Sequence, residues 1–94
     1  MALVHGNYTV GTTPGVIASI PNGLGKVQVS IYNNDTNSIF VGDSSITVTA
    51  GSNQGLVVPK NVITQFLLTG GDQLYAVSTN GTSTGAVTVL YSGV

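Results

Sequence analysis

The sequence predicts an all-β fold, either a small antiparallel β-sandwich or a jelly-roll-like barrel, with a short N-terminal arm. Apolar and polar residues alternate over short runs, which is the pattern of a half-buried strand. Glycine, proline, asparagine and aspartate interrupt these runs about every ten residues and supply the turns. Many short strands at this spacing are typical of two packed antiparallel sheets.

The alternation is clearest in residues 26–33, where Val29 and Ile31 share one face of the strand and Gln28 and Ser30 share the other. In residues 74–78 it places Tyr75 together with Val77. The remaining strands are predicted at residues 16–20, 38–41, 46–49, 55–58, 63–68 and 86–91, and residues 7–10 can add an edge strand.

The 94 residues fit one domain. Residues 1–6 show no alternation and precede a glycine- and proline-containing break at residues 11–15. We therefore expect residues 1–13 to form an N-terminal arm with a candidate edge strand, and residues 14–94 to form a single β-sandwich domain.

Charge is scarce, with two lysines, three aspartates and no arginine, where a typical chain has about 25% charged residues. So few cations cannot neutralise many phosphates, which argues against a nucleic-acid partner. No apolar run approaches the roughly 18 residues of a membrane helix, and the N-terminus lacks a secretory pattern. We expect a chain that is made in the cytoplasm and contacts other proteins, with no membrane partner.

Catalytic groups are equally scarce. Cysteine is absent, which excludes thiol nucleophiles and cysteine zinc sites. The sole histidine, His5, lies in the expected arm, so a triad with the Asp43-Ser44-Ser45 run is improbable. There is no glutamate, and all three aspartates occupy turn signals, where their oxygens cap backbone amides. The sequence therefore predicts a protein that is not an enzyme and needs no cofactor or metal.

Two patterns in the sequence could bind a ligand, one a calcium ion and the other a sugar. Asn33, Asp35 and Asn37 have the alternate spacing that opens a calcium loop, but Ser38 replaces the required glycine and Ser44 the bidentate acid. A polar turn is the preferred interpretation. The four tyrosines could instead form a platform for sugar rings, although strand tyrosines more often pack in sheets. They are Tyr8, Tyr32, Tyr75 and Tyr91.

Four segments in a fixed order carry a family resemblance that spans about residues 27–91. They are residues 33–47 (NNDTNSIFVGDSSIT), 55–59 (GLVVP), 70–78 (GGDQLYAVS) and 81–90 (GTSTGAVTVL). In this order the chain resembles small β-sandwich structural proteins of tailed bacteriophages, in which a Val-Gly-x-Ser run, a proline and a Gly-Asp-x-Leu-Tyr-Ala-Val run recur.

The resemblance implies a virion structural protein, a capsid decoration (cement) protein that binds the outside of the phage head and stabilises it. Its partners would be the major capsid protein and further copies of itself, with a trimer as the favoured oligomer. The alternative is a tail or fibre module that binds host-surface glycan. Because extended N-terminal segments can dock on neighbouring sheets, the candidate contacts are Ala2, Leu3, Val4, His5 and Tyr8.

Overall fold

The computed structural model describes residues 3–92, which form two four-stranded antiparallel sheets. The predicted all-β sandwich is confirmed. The strands are β1 (Leu3–Tyr8), β2 (Gly15–Ser19), β3 (Lys26–Asn33), β4 (Ile39–Gly42), β5 (Leu56–Val58), β6 (Ile63–Thr69), β7 (Gln73–Ser78) and β8 (Val87–Ser92). No helix long and apolar enough to cross a membrane occurs in residues 3–92.

The strand order defines the topology. Sheet A has the order β1-β8-β3-β6, and sheet B has the order β2-β7-β4-β5. The first strand therefore pairs with the eighth, the second with the seventh, the third with the sixth and the fourth with the fifth. A long antiparallel hairpin wound into two sheets has this pairing, which is the jelly-roll arrangement.

The core lies between the sheets and consists mainly of β-branched residues from the inner strands. Val29 and Ile31 of β3 and Val87 and Val89 of β8 are almost completely buried. Full burial of each such side chain contributes about 1.5–3 kcal/mol. The edge strand β2 adds two successive buried residues, because its pairing with β7 is irregular between Val16 and Ala18.

The N-terminal edge strand begins earlier than the sequence suggests. Residues 3–8 form β1, which pairs in register with β8, whereas an unpaired arm was expected as far as residue 6. His5 and Gly6 hide the alternation in the sequence. Gly6 makes room for an aromatic ring, since an added Cβ would lie 3.0 Å from the Tyr8 hydroxyl. The pairing with β8 thus decides the conformation of this segment.

The prediction of a short strand at residues 46–49 is wrong. Only an isolated bridge joins Thr47 to Gln54, and the β4–β5 connection is a polar loop. Side-chain hydrogen bonds to backbone hold it, including Asn53 Nδ2 to the Ser45 carbonyl at 2.9 Å. Ile46 is buried and anchors this loop. The apolar side chain at position 46 therefore anchors a loop and does not belong to a strand.

In β7 the two residues that the alternation pairs, Tyr75 and Val77, are not the ones that face the core. Leu74 and Ala76 belong to the core cluster, so Tyr75 and Val77 face away from it on the outer side of sheet B. Val77 is nevertheless buried. Because β7 is a central strand with buried residues on both faces, the sequence alternation alone could not identify which face is internal.

Candidate functional site

The residues expected to contact a partner do not form one surface patch. Leu3 and His5 are exposed on the outer side of β1, whereas Val4 and Tyr8 face inward and pack against the core. Ala2 lies outside the described residues. Only Leu3 and His5 among the described candidates can therefore contact a partner without disturbing the core.

Leu3 and His5 belong to a larger surface, the outer face of sheet A. The registers of β1, β8, β3 and β6 align its residues in rows across the four strands. One row runs through His5, Leu90, Ser30 and Gln65. The face comprises Leu3, His5, Asn7, Lys26, Gln28, Ser30, Tyr32, Ile63, Gln65, Leu67, Thr69, Thr88, Leu90 and Ser92.

Hydrogen bonds between side chains order the polar part of this face. Gln28 Nε2 donates to Gln65 Oε1 at 3.0 Å, and Gln65 Nε2 donates to Ser30 Oγ at 3.3 Å. On the other side of β8, Thr88 Oγ1 donates to Asn7 Oδ1 at 2.9 Å. These cross-strand bonds limit side-chain freedom, which lowers the entropy lost when a partner covers the surface.

Exposed apolar side chains lie between these polar groups. Leu3, Ile63, Leu67 and Leu90 are all well exposed. Among the described residues of this face the one lysine is Lys26, which lies at its end beside Thr69, and there is no arginine, aspartate or glutamate. A surface whose single charge lies at its end, with exposed apolar groups and hydrogen-bonded amides, loses little on desolvation, so it suits contact with protein.

The aspartates serve the turns, as predicted. Asp35 accepts hydrogen bonds from the backbone amides of Asn37 and Ser83, both at 3.0 Å, and the amide of Ser83 is the larger cause of its lowered pKa. Asp43 Oδ1 accepts the Ser45 amide at 3.0 Å, which lowers the pKa of Asp43 in the same way.

The Asn33, Asp35 and Asn37 spacing builds a turn. Asn33 Nδ2 donates to the carbonyls of Asn37 and Val58, and Asn33 Oδ1 accepts the Asp35 amide at 3.1 Å. Backbone amides therefore donate to the side-chain oxygens that a calcium loop would use to bind the ion. Within residues 3–92 no group of three or more potential ligands converges on a metal position.

The residues of the possible catalytic triad, and those of the possible sugar-binding platform, lie in different parts of the fold. His5 lies in sheet A, whereas Asp43 follows β4 of sheet B, and the Asp43 carboxylate is bonded to Ser45 itself. The tyrosines do not form one platform, because Tyr32 is on the outer face of sheet A, Tyr75 is on that of sheet B, and Tyr91 is buried with its hydroxyl bonded to the Ser19 carbonyl.

A small open cleft of about 130 Å³ lies beside the start of β2. This volume is below the roughly 300–1,000 Å³ of typical small-molecule pockets. Its lining includes Thr9, Gly11, Thr13 and Gly15. The broad outer face of sheet A is therefore the stronger candidate for binding.

Sequence reasoning missed most of this face. The alternation in residues 26–33 grouped Gln28, Ser30 and Tyr32, but the neighbours supplied by β6 and β8 depend on long-range pairing.

No family model, curated protein or solved structure matches this chain.

Proposed function

We propose that this protein is a structural component of a bacteriophage virion, a decoration (cement) protein that binds the outside of the capsid shell and stabilises it. The observation that supports this is the outer face of sheet A, which spans four strands with a single formal charge at its end and exposes Leu3, Ile63, Leu67 and Leu90. The resemblance of residues 27–91 to phage structural proteins supplies the biological setting.

Docking through this face would stabilise a shell by burying surface against the major capsid protein. Each exposed leucine or isoleucine that becomes fully buried contributes up to about 1.5–3 kcal/mol, before the cost of association is subtracted. Standard interfaces bury roughly 800 Å² per partner. Many copies on one shell add their separate contributions, so a modest individual affinity is sufficient.

The direct test uses capsid shells of the phage that encodes the chain, prepared without this protein. Purified full-length chain is mixed with the shells, and bound chain is measured by sedimentation and located by electron microscopy. We expect saturable binding to the outer surface and a higher temperature of shell disruption. Absence of binding, or binding only at the tail, would contradict the proposal.

Two matched lysine substitutions assign the binding face. Leu90 on sheet A and Val16 on sheet B are both 41% exposed, and they lie on opposite outer faces. We expect Leu90→Lys to weaken shell binding at least about tenfold, since a buried unpaired charge is costly, and Val16→Lys to leave binding unchanged. Equal effects would exclude the outer face of sheet A as the docking surface.

A glycan array addresses the alternative function. A decoration protein should show no saccharide preference. Selective binding to one glycan class that Leu90→Lys abolishes would instead support a tail or fibre module, with the same face contacting sugar.

A further inference from the structure

The four edge strands differ in how they are protected against pairing with another chain. In sheet B, β2 has an irregular register between Val16 and Ala18, and β5 is only three residues long and is followed by Pro59. Bulges, short strands and proline are common devices that block edge pairing. Both edges of sheet B are therefore protected.

The edges of sheet A lack this protection. Strands β1 and β6 pair with their inner neighbours without a register shift, and neither contains a charged residue or proline. The longer is β6, with seven residues from Ile63 to Thr69. Its outward backbone groups present a regular template that another strand can extend.

Exposed apolar residues concentrate at the same side of the sandwich. Strands β5 and β6 are the last strands of their sheets and are joined by a short connection, so their edges lie together. The exposed large apolar residues on this side are Leu56, Val57, Val62, Ile63 and Leu67. We call this surface the β5/β6 side.

We propose that the β5/β6 side binds a second copy of this chain, with the two β6 strands antiparallel across a two-fold axis near Phe66. Such a contact is self-complementary, as a two-fold interface requires. Sheet A of one copy then continues into sheet A of the other. This side shares Ile63 and Leu67 with the outer face of sheet A, but self-association in solution can be measured without a capsid.

Charge placement favours the antiparallel arrangement. Lys60 lies six residues before Phe66, and Asp72 lies six residues after it. Asp72 is held at the end of β6, where its Oδ2 accepts the Thr69 amide at 2.7 Å. A two-fold axis at Phe66 therefore brings Lys60 of each copy towards Asp72 of the other. Lys26 stands at the same end as Asp72, but on β3 and so one strand inside the edge.

A stable dimer needs more contact area than the two strand edges alone supply. A standard interface of roughly 800 Å² per partner is about a sixth of the 5095 Å² of accessible surface. Strand β6 extends about 23 Å at 3.3 Å per residue, and the stacked β5 edge adds about 10 Å of width. The two edges together span about 23 Å by 10 Å, so the exposed side chains of the β5/β6 side and the adjoining loops must supply the rest of the interface.

Sedimentation equilibrium of the full-length chain over a concentration series tests the proposal. We expect a monomer–dimer equilibrium in which Leu67→Lys raises the dimer dissociation constant at least about tenfold, because it places two lysines close together near the axis. Leu3→Lys is the matched control, since it puts the same charge on the other unprotected edge strand, β1. It should leave the constant unchanged while circular dichroism confirms that both variants fold.

A second series tests the orientation. Lys60→Gln removes one partner of each charge pair and Lys60→Glu makes the pair repulsive, so dimerisation should weaken in that order and the differences should shrink at high salt. Hydrogen exchange should show concentration-dependent protection of β6 amides and none in β1. A chain that stays monomeric up to millimolar concentration would overturn the proposal. So would a trimer, or a Leu3→Lys variant that dissociates as readily as Leu67→Lys.

Discussion

The carboxylate of Asp35 accepts the backbone amide of Ser83 at 3.0 Å and thereby joins the β3–β4 turn to the β7–β8 connection. A second link between the same regions runs from Asn37 Nδ2 to the Gly81 carbonyl at 2.9 Å. The two connections lie 48 residues apart in the chain, so this end of the sandwich is closed by side chains as well as by strands.

Stability should fall at acidic pH. Amide hydrogen bonds from Ser83 to Asp35 and from Ser45 to Asp43 lower the pKa of both carboxyls in the folded protein. Since each folded pKa lies below the unfolded value, the stabilisation is present above about pH 4 and is lost as the pH falls through the folded pKa. Urea midpoints measured between pH 7 and pH 2.5 should decrease below about pH 4.

Asp35→Asn provides the control for this pH effect. The variant should be less stable at pH 7 and show a smaller fall in urea midpoint on acidification, because one of the two carboxyls with a lowered pKa is gone. A wild-type midpoint that stays constant down to pH 2.5 would contradict the assigned hydrogen bonds.

Asn33→Ala should destabilise the fold by about 3 kcal/mol. Asn33 is completely buried, and its loss leaves the carbonyls of Asn37 and Val58 and the amide of Asp35 without this partner. Denaturant unfolding measures the difference. Asn34→Ala, at the exposed neighbouring position, should change stability by less than about 0.5 kcal/mol. Equal effects at the two positions would argue against the turn geometry.

Val4→Ser and Leu3→Ser test the register of β1. Val4 packs against the core, whereas Leu3 is 74% exposed. We expect Val4→Ser to cost about 1–2 kcal/mol of unfolding free energy and Leu3→Ser less than about 0.5 kcal/mol. If residues 3–8 were an unpaired arm, neither substitution would alter stability, so chemical denaturation distinguishes the two cases.

Ile31→Ala should be the most damaging of these substitutions. Ile31 is fully buried in the centre of sheet A, and truncating such a residue leaves a cavity that costs about 2–5 kcal/mol. Ile63→Ala, one strand away and 66% exposed, is the control and should cost less than about 0.5 kcal/mol at concentrations that favour the monomer. Similar losses would indicate that β3 and β6 have a different register.

The sequence by itself determined the fold class, most strand positions and the turn role of the aspartates. These properties are local, because alternation identifies a half-buried strand and a turn residue acts on its immediate neighbours. The prediction for residues 26–33 matches β3, and the aspartates at positions 35 and 43 cap their turns. Local signals failed at residues 3–6 and 46–49, where pairing with β8 and anchoring of a loop outweigh the pattern.

Only the tertiary structure decided which strands are neighbours, and with them the candidate surfaces. Gln65 lies beside Ser30, and Leu90 beside His5, through pairings between residues far apart in the chain. No single strand shows that a whole sheet face carries only one charge or that β6 is an unprotected edge. Strand pairing depends on how the whole chain closes its loops and buries a common core, and a local alternation of residues does not record it.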